Sequence, residues 1–309
     1  MKTILPGGAI GLLGGGENSL MLALAAIRMG YRVHVFSPDA DPVFRLAEVV
    51  VQAPYEDLDR VRQFAANAGV VTIAGSNVPM LAVQAAASGS VVHPSADAFA
   101  KIESGIGVKR NAYEPAIAEF SILGVRGSPD GDHAAFASYP PLSIDKIEGV
   151  FDTAQLAAPI RSRLARQAAS QTRDILEDLN LTGVACVDFA LTQAQELLVH
   201  DVFPNLQRAG HLTTEACITG QFEQHVRAIC GLPLGSTDLL RPAAIANIPE
   251  TAWEDGEPNW VGALAWPNVR LSLYPGRPGE RRGHLSASAA SATLARQTVR
   301  AARTALVQK

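Results

Sequence analysis

Apolar positions in the first hundred residues change period from segment to segment. Residues 8–13 form a short apolar run that ends in glycines, and between 18 and 29 Leu20, Met21, Leu24, Ile27 and Met29 fall near a helical period. Tyr31 to Ser37 alternates, with Val33 and Val35 facing one way and His34 and Phe36 the other. Asp57 to Ala68 reads as helix, Val70 to Ile73 as a buried strand and Met80 to Ala87 as helix, and Val91-Val92 closes the run before His93-Pro94-Ser95. Strands alternating with helices predict a parallel sheet with crossover helices, here a doubly wound unit over residues 1–95.

The pattern then changes. Glu119 to Arg126 and His133 to Tyr139 are strand-like around the turn residues Gly127-Ser128-Pro129-Asp130-Gly131. Pro159 to Leu179 predicts a long helix, and Gly183 to Leu191 with Glu196 to Phe203 a second strand pair. Thr214 to Cys230 reads as one helix stopped by Gly231 and Pro233. Short strands are expected through 262–274 and a last helix over 291–306. This half predicts an antiparallel sheet flanked by helices over 119–309, with 96–118 as the connection.

Composition narrows the function classes. A chain of 309 residues with 48% apolar and 18% charged residues has ample core for two domains. A net charge of −4, spread without basic runs, speaks against a nucleic-acid partner or an anionic membrane surface. The longest apolar runs, such as Met21 to Ile27, are too short to span a bilayer. No secretory signal pattern stands at the N-terminus, so a cytoplasmic protein is expected. Cys186, Cys217 and Cys230 are an odd number at wide spacing, which suits buried thiols rather than a disulfide framework or a compact zinc site.

Gly14-Gly15-Gly16 lies between strand and helix, the place of a phosphate cradle. A helix N-terminus there attracts anions, whereas Glu17 repels them.

Several segments together resemble one family. Thr219-Gly220-Gln221-Phe222-Glu223-Gln224-His225, Arg227-Ala228 and Gly231-Leu232-Pro233-Leu234-Gly235 are the most specific. The glycine loop, the stretch from Arg28 to Asp39, Asn77-Val78-Pro79, His93-Pro94-Ser95, and Arg277-Pro278-Gly279 with Gly283-His284 agree with them. The chain is similar to the carboxyaminoimidazole ribonucleotide synthetases, ATP-grasp enzymes of purine synthesis that join aminoimidazole ribonucleotide and bicarbonate with ATP. The resemblance implies a pre-ATP-grasp-like doubly wound domain, an ATP-grasp-like α+β domain with a small β region at its end, a lid over ATP, magnesium and a homodimer.

The lid is missing from the sequence. The family places there two lysines for the ATP phosphates and a Gly-Tyr-Asp-Gly-Lys-Gly loop. Here Val108 to Tyr113 runs almost directly into Ala118-Glu119-Phe120. So few residues cannot make a domain, which needs roughly 50. Phosphoryl transfer depends on positioning and charge neutralisation, and both fall with the lid. Other motifs differ too. The loop that continues Gln-Leu-Gly-Arg in the family reads Glu17-Asn18-Ser19-Leu20; a Glu-x-Glu-Asn pattern becomes Ala74-Gly75-Ser76-Asn77. In the run from His200 to His211, Asn205 and Gln207 replace an arginine and a histidine, and Glu280 inverts a cation in the tail motif.

By resemblance, a ribonucleotide would meet Gly15, Gly16, Asn77, His211, Arg277, Arg281 and His284. Asp188 and Asp201 stand where the family has metal-binding glutamates; solvated strand-end carboxylates are the other reading. Structural hydrogen bonds explain His211 and His284 equally well, and packing explains Gln224 and His225. Three functions stay open: a ligand-binding or regulatory homologue that associates with a purine-pathway enzyme, an active ligase with a lid supplied in trans, and another small-molecule enzyme using Asp188 and Asp201.

Overall fold

The computed structural model describes residues 3–75, 77–105, 116–128, 135–275 and 281–307, with the backbone alone at 275, 281 and 282. The first unit runs β1 (Ala9–Leu13), α1 (Glu17–Arg28), β2 (Arg32–Ser37), β3 (Val49–Gln52), α2 (Leu58–Ala66), β4 (Val70–Ile73), α3 (Met80–Ala87) and β5 (Val92–His93). Its strands form a parallel sheet in the order β3-β2-β1-β4-β5, with β1 at the centre. This is the doubly wound sheet expected from the pattern. Both faces of β2 are buried apart from Arg32, because helices cover a parallel sheet on both sides. Asp57 caps α2 and Ser95 caps α4 (Ala96–Glu103), each side chain accepting an N–H of the first turn.

Residues 104–117 separate α4 from β6 (Ala118–Arg126). There follow β7 (Phe136–Ser138), β8 (Leu142–Ile147), β9 (Val150–Leu156), α5 (Ser162–Asp178), β10 (Gly183–Leu191) and β11 (Leu197–Phe203). The chain continues through α6 (Thr213–Ala216), α7 (Gln221–Ile229), β12 (Ala243–Asn247), α8 (Trp260–Ala263), β13 (Val269–Pro275), β14 (Arg281–Ser288) and α9 (Ala292–Ala305). The strands make one antiparallel sheet, β11-β10-β6-β8-β9-β12-β14-β13, with β7 beside β6. α5 packs on β6 and β10, and α9 covers the β12–β14 end. Arg296 and Arg300 of α9 reach Asp145, and Arg303 reaches Asp152 at 2.5 Å.

Two expectations are corrected. The segment predicted as one helix over 214–230 is two, α6 and α7. Cys217 turns extended and bridges Leu239, and the N–H groups of Ile218 and Thr219 bond to the carbonyls of Asp238 and Ser236. Thr213 Oγ1 then accepts the Gln221 N–H at 2.8 Å and starts α7. Over 262–274 there is a single strand, β13, preceded by the end of α8; its partner β14 lies further along the chain.

The two units share one core. Ile10, Leu12, Leu22, Val33 and Val35 belong to the same buried cluster as Val184, Phe222, Val226 and Ile229. α1 lies on α7, Arg28 pairs with Glu223, and the Ile4 N–H bonds to the Cys230 carbonyl at 2.9 Å. His225 is the polar rivet of this seam. Its Nδ1 accepts the Val184 N–H at 3.1 Å, so the proton sits on Nε2 and is donated to Thr72 Oγ1 at 2.8 Å. Thr72 in turn donates to the His93 carbonyl at 2.7 Å. Burial, followed by the nearby His93, pushes the His225 pKa down to about 3, so the ring is neutral. The packing role expected for His225 is the one it has. Gln224 pairs through both amide atoms with the backbone of Gly235, at 2.6 and 2.9 Å. The three cysteines are free and buried, as expected.

Candidate functional site

The glycine turn sits at the C-terminal end of the central strand β1, where open α/β sheets bind ligands. Gly14 adopts φ +104°, and a side chain there would lie 2.5 Å from the Gly75 nitrogen, so the turn and the end of β4 approach backbone to backbone. The N-terminus of α1 already holds a carboxylate. Asp41 Oδ2 accepts the Gly16 N–H at 2.7 Å, and Asp41 Oδ1 accepts the Val43 N–H at 3.1 Å. A Cβ on Gly15 would meet the same carboxylate at 2.5 Å. The amide expected to attract an anion from solution is thus bonded to one from the chain.

Glu17 is also different from expectation. Its carboxylate is gripped by the Arg208 guanidinium through two contacts, Nε to Oε1 at 3.0 Å and Nη2 to Oε2 at 2.9 Å. Such a fork pairs charge and geometry together. Glu17 therefore presents a neutralised pair to the loop, not the bare negative charge inferred from sequence. The partner lies 191 residues away. A hint is present in the resemblance: the glycine segment gains Glu17 and loses an arginine at Leu20, while the run from His200 to His211 gains Arg208.

Beside this pair runs a buried relay. Asn18 Nδ2 donates to the Leu206 carbonyl at 3.0 Å, which turns Asn18 Oδ1 toward His211 Nε2 at 2.9 Å. His211 Nε2 therefore carries the proton, and its Nδ1 accepts from the Tyr274 hydroxyl at 2.6 Å. The Tyr274 oxygen accepts from His284 Nδ1–H at 2.8 Å. Burial holds His211 well below its ordinary pKa, with His284 and Arg208 adding to the effect, and takes His284 to about 4. Both rings are neutral. Tyr274, in β13, has no motif that marks it in the sequence.

Asn18, Asn205, Gln207 and Arg208 line one side of a cavity of about 220 Å³, with Ala74 and Gly75 opposite. Gln221 at the start of α7 fixes this wall, its Nε2 bonding the Gln207 carbonyl at 2.8 Å. None of the described residues expected to meet a ribonucleotide is in the lining: Gly15 lies against Gly75, Gly16 bonds Asp41, and His211 reaches the wall through Asn18, with His284 behind it through Tyr274. Asn77 is exposed in the turn after β4 and does not line the cavity. Arg277 and Glu280 lie outside the described residues, and so does the Arg281 side chain, although its backbone pairs with Pro275.

The other candidate pair lies at the far end of the large sheet. Asp188 on β10 and Asp201 on β11 are directly opposed in the ladder, so their side chains rise on one face. Asp188 accepts the Ser121 hydroxyl at 2.6 Å, and burial raises its pKa despite that bond. Two carboxylates suit magnesium when phosphate oxygens and waters complete the shell. The described residues group no third acid or histidine with them. The adjoining cavity, about 270 Å³, has Lys146 as its lysine and Glu119 with Asp188 as acids. A polyphosphate would meet more negative than positive charge there, so this wall by itself does not fit ATP.

The comparisons with known proteins agree with the fold. Residues 8–103 match the ribonucleotide synthetase preATP-grasp domain, and residues 100–222 match the ATP-grasp domain. The N5-carboxyaminoimidazole ribonucleotide synthase of Bacillus subtilis is 28% identical over 80% of this chain and 82% of its own. That of Brucella melitensis is 29% identical over 92% and 98%. The latter alignment spans 357 positions against 309 residues here, so the relative carries residues this chain lacks. An ADP complex of an N5-carboxyaminoimidazole ribonucleotide synthetase superposes with a TM-score of 0.86 at 22% identity, over 97% of both chains. The synthetase from Thermus thermophilus does so at 0.84 and 23%, over 97% of this chain and 99% of its own. Among the described residues no helix is long and apolar enough to cross a membrane. With its parallel first sheet and its ATP-grasp-like second sheet, the chain joins a ribonucleotide synthetase preATP-grasp domain to an ATP-grasp domain and is similar over most of its length to the N5-carboxyaminoimidazole ribonucleotide synthases.

Proposed function

We propose that this ligase-like homologue binds a small polar ligand in the cavity beside Arg208 and does not carry out ATP-dependent carboxylation by itself. The observation behind the reading is that both anion-binding features of the glycine turn are occupied from within, Gly16 N–H by Asp41 and Arg208 by Glu17. The short connection over 104–117 supports it, since it leaves no length for a domain that would bring lysines over a nucleotide. Losing one electrostatic donor commonly costs about 2.7–4 kcal/mol of transition-state stabilisation, and here several are missing together. An intermediate such as carboxyphosphate, open to water, would hydrolyse before capture.

Relatives inform the ligand class. One Aspergillus clavatus synthase was solved with ADP and 5-aminoimidazole ribonucleotide, and another with ATP. For this chain a ribonucleotide-like ligand would sit against Gly15, Gly16 and the Asn205–Arg208 wall, near His211 and His284. Arg277 and Arg281 would supply its phosphate contacts. Magnesium, if used, would be held by Asp188 and Asp201. A homodimer belongs to the same reading. So does a purine-pathway partner, for which the bifunctional purine synthesis protein purC/E of Dictyostelium discoideum gives precedent: 24% identical, it is matched over 91% of this chain and 37% of its own length.

The test uses the purified full chain with ATP, bicarbonate, magnesium and aminoimidazole ribonucleotide, together with calorimetric titration of each. Ribonucleotide binding without turnover is the expected result. Turnover at about 1 per second or faster, an ordinary enzyme rate, would overturn it.

A further inference from the structure

Away from both regions, the first sheet carries a groove along its β3 edge. Its volume is about 440 Å³, within the range of small-molecule sites. The floor is Val49 and Val51 of edge strand β3 and Phe64 of α2. The rim is Arg60, Gln63 and Asn67. These three and Phe64 lie at helical spacing along one stripe of α2, so the stripe facing the strand edge is mostly polar where a helix on a sheet ordinarily presents apolar groups.

His34 lines the end of this groove from β2. It is 4% exposed, and neither ring nitrogen has a hydrogen-bond partner among the described residues. Its pKa is lowered, chiefly by burial, and the ring is neutral with one N–H donor and one lone-pair acceptor. Unpaired buried polar atoms are costly, and a ligand that offers both an acceptor and a donor would satisfy them. The lining includes no carboxylate, and Glu48, whose charge is felt at His34, is paired with Arg32 outside it. Arg60 is the one charged residue of the lining, and its contact with Asp57 is a surface pair at 3.3 Å with both side chains largely exposed. Such pairs are weak and easily exchanged.

We propose that this groove is a second binding site, for a small planar heterocyclic carboxylate whose ring lies on Phe64, Val49 and Val51, whose ring heteroatoms meet His34, and whose carboxylate meets Arg60. The site is independent of the reading given for the Arg208 cavity, and its failure would leave that reading intact.

The experiment follows the ring nitrogens of His34 by NMR in full-length chain labelled with 15N-histidine. Nicotinate is the probe; nicotinamide and inorganic phosphate are the controls. The expected result is a saturable His34 shift with millimolar nicotinate, about fivefold weaker with nicotinamide and absent with phosphate. Arg60→Gln should weaken nicotinate about fivefold, and His34→Phe should abolish binding. Arg60→Gln and Gln63→Ala alter exposed rim residues only, so they report on the site even where His34→Phe fails to fold. The proposal is overturned by no saturable His34 shift, by nicotinate affinity unchanged in Arg60→Gln, by equal binding of phosphate, or by shifts that follow protein concentration alone and so mark a contact between copies.

Discussion

The two ends of the molecule where a ligase would hold its substrates have solved their electrostatics differently. At the glycine turn every charge has an internal partner: Asp41 on the Gly16 amide, Arg208 on Glu17, and two neutral histidines strung through Tyr274. At the β10–β11 pair, two carboxylates face each other beside a lone lysine, and one of them is held above its ordinary pKa by burial. The first end is closed and self-sufficient; at the second, Asp188 is held by the Ser121 hydroxyl and kept above its ordinary pKa by burial. The two ends therefore place their charges in different surroundings.

The largest expected effect tests the closed end and the seam beside it through acid. His211, His225 and His284 are buried and neutral: burial takes His225 to about 3 and His284 to about 4 and holds His211 well below the ordinary 6.5. Between those values the unfolded chain binds protons that the folded chain refuses, so stability is complete above about pH 6.5 and falls as pH drops toward 4. At pH 5 each such histidine costs about 2 kcal/mol. Urea titrations across this window should show the loss, and a flat profile would mean the seam is open to water. His225→Ala should cost about 3–5 kcal/mol at pH 7.5 by the same titration, from the cavity and from two orphaned bonds, and should flatten the acid slope by about one proton.

Arg208→Ala comes next, at about 2–4 kcal/mol, because Glu17 is left 11% exposed without its partner. A neutral result would show that the pair is ornamental and dissolve the contrast between the two ends. Smaller again is Glu17→Gln. It frees Arg208, so calorimetry should show affinity for a phosphate monoester rising about tenfold, or about 1.4 kcal/mol. The smallest effect belongs to the other end. Asp188→Asn should stabilise the chain by about 1 kcal/mol at pH 8 and by less near pH 4. The sign follows from the raised pKa: the folded carboxyl holds its proton more tightly than the unfolded one, so its contribution declines as pH rises through 3.8. Destabilisation by Asp188→Asn would place that end among the satisfied ones as well.

How much of this could be read from the chain depended on range. β1, α1, β2, β4 and α3 follow their hydrophobic periods because packing on both faces of a parallel sheet leaves a strong local signal. β3 is four residues at an exposed edge, and β8 carries Asp145 and Lys146 where a core strand would be apolar, so neither stands out. The break between α6 and α7 comes from Ser236 to Leu239, a strand-like partner that helical periodicity cannot register. At the site, glycines and strand-end aspartates announce themselves by type and place. Asp41, Arg208 and Tyr274 do not, since each acts only through a residue distant in sequence, and that is why Glu17 was read as a bare charge.

The hydrogen bond from Gly16 to Asp41 has a kinetic side. Asp41 is tethered, with its second oxygen pinned to the Val43 amide, so it competes for the helix terminus at an effective concentration of at least millimolar. A ligand present at micromolar levels is diluted by comparison and arrives at an occupied berth. Any ligand that docks there must first wait for the loop after β2 to let go, which makes the opening rate of that loop, rather than diffusion, the ceiling on association.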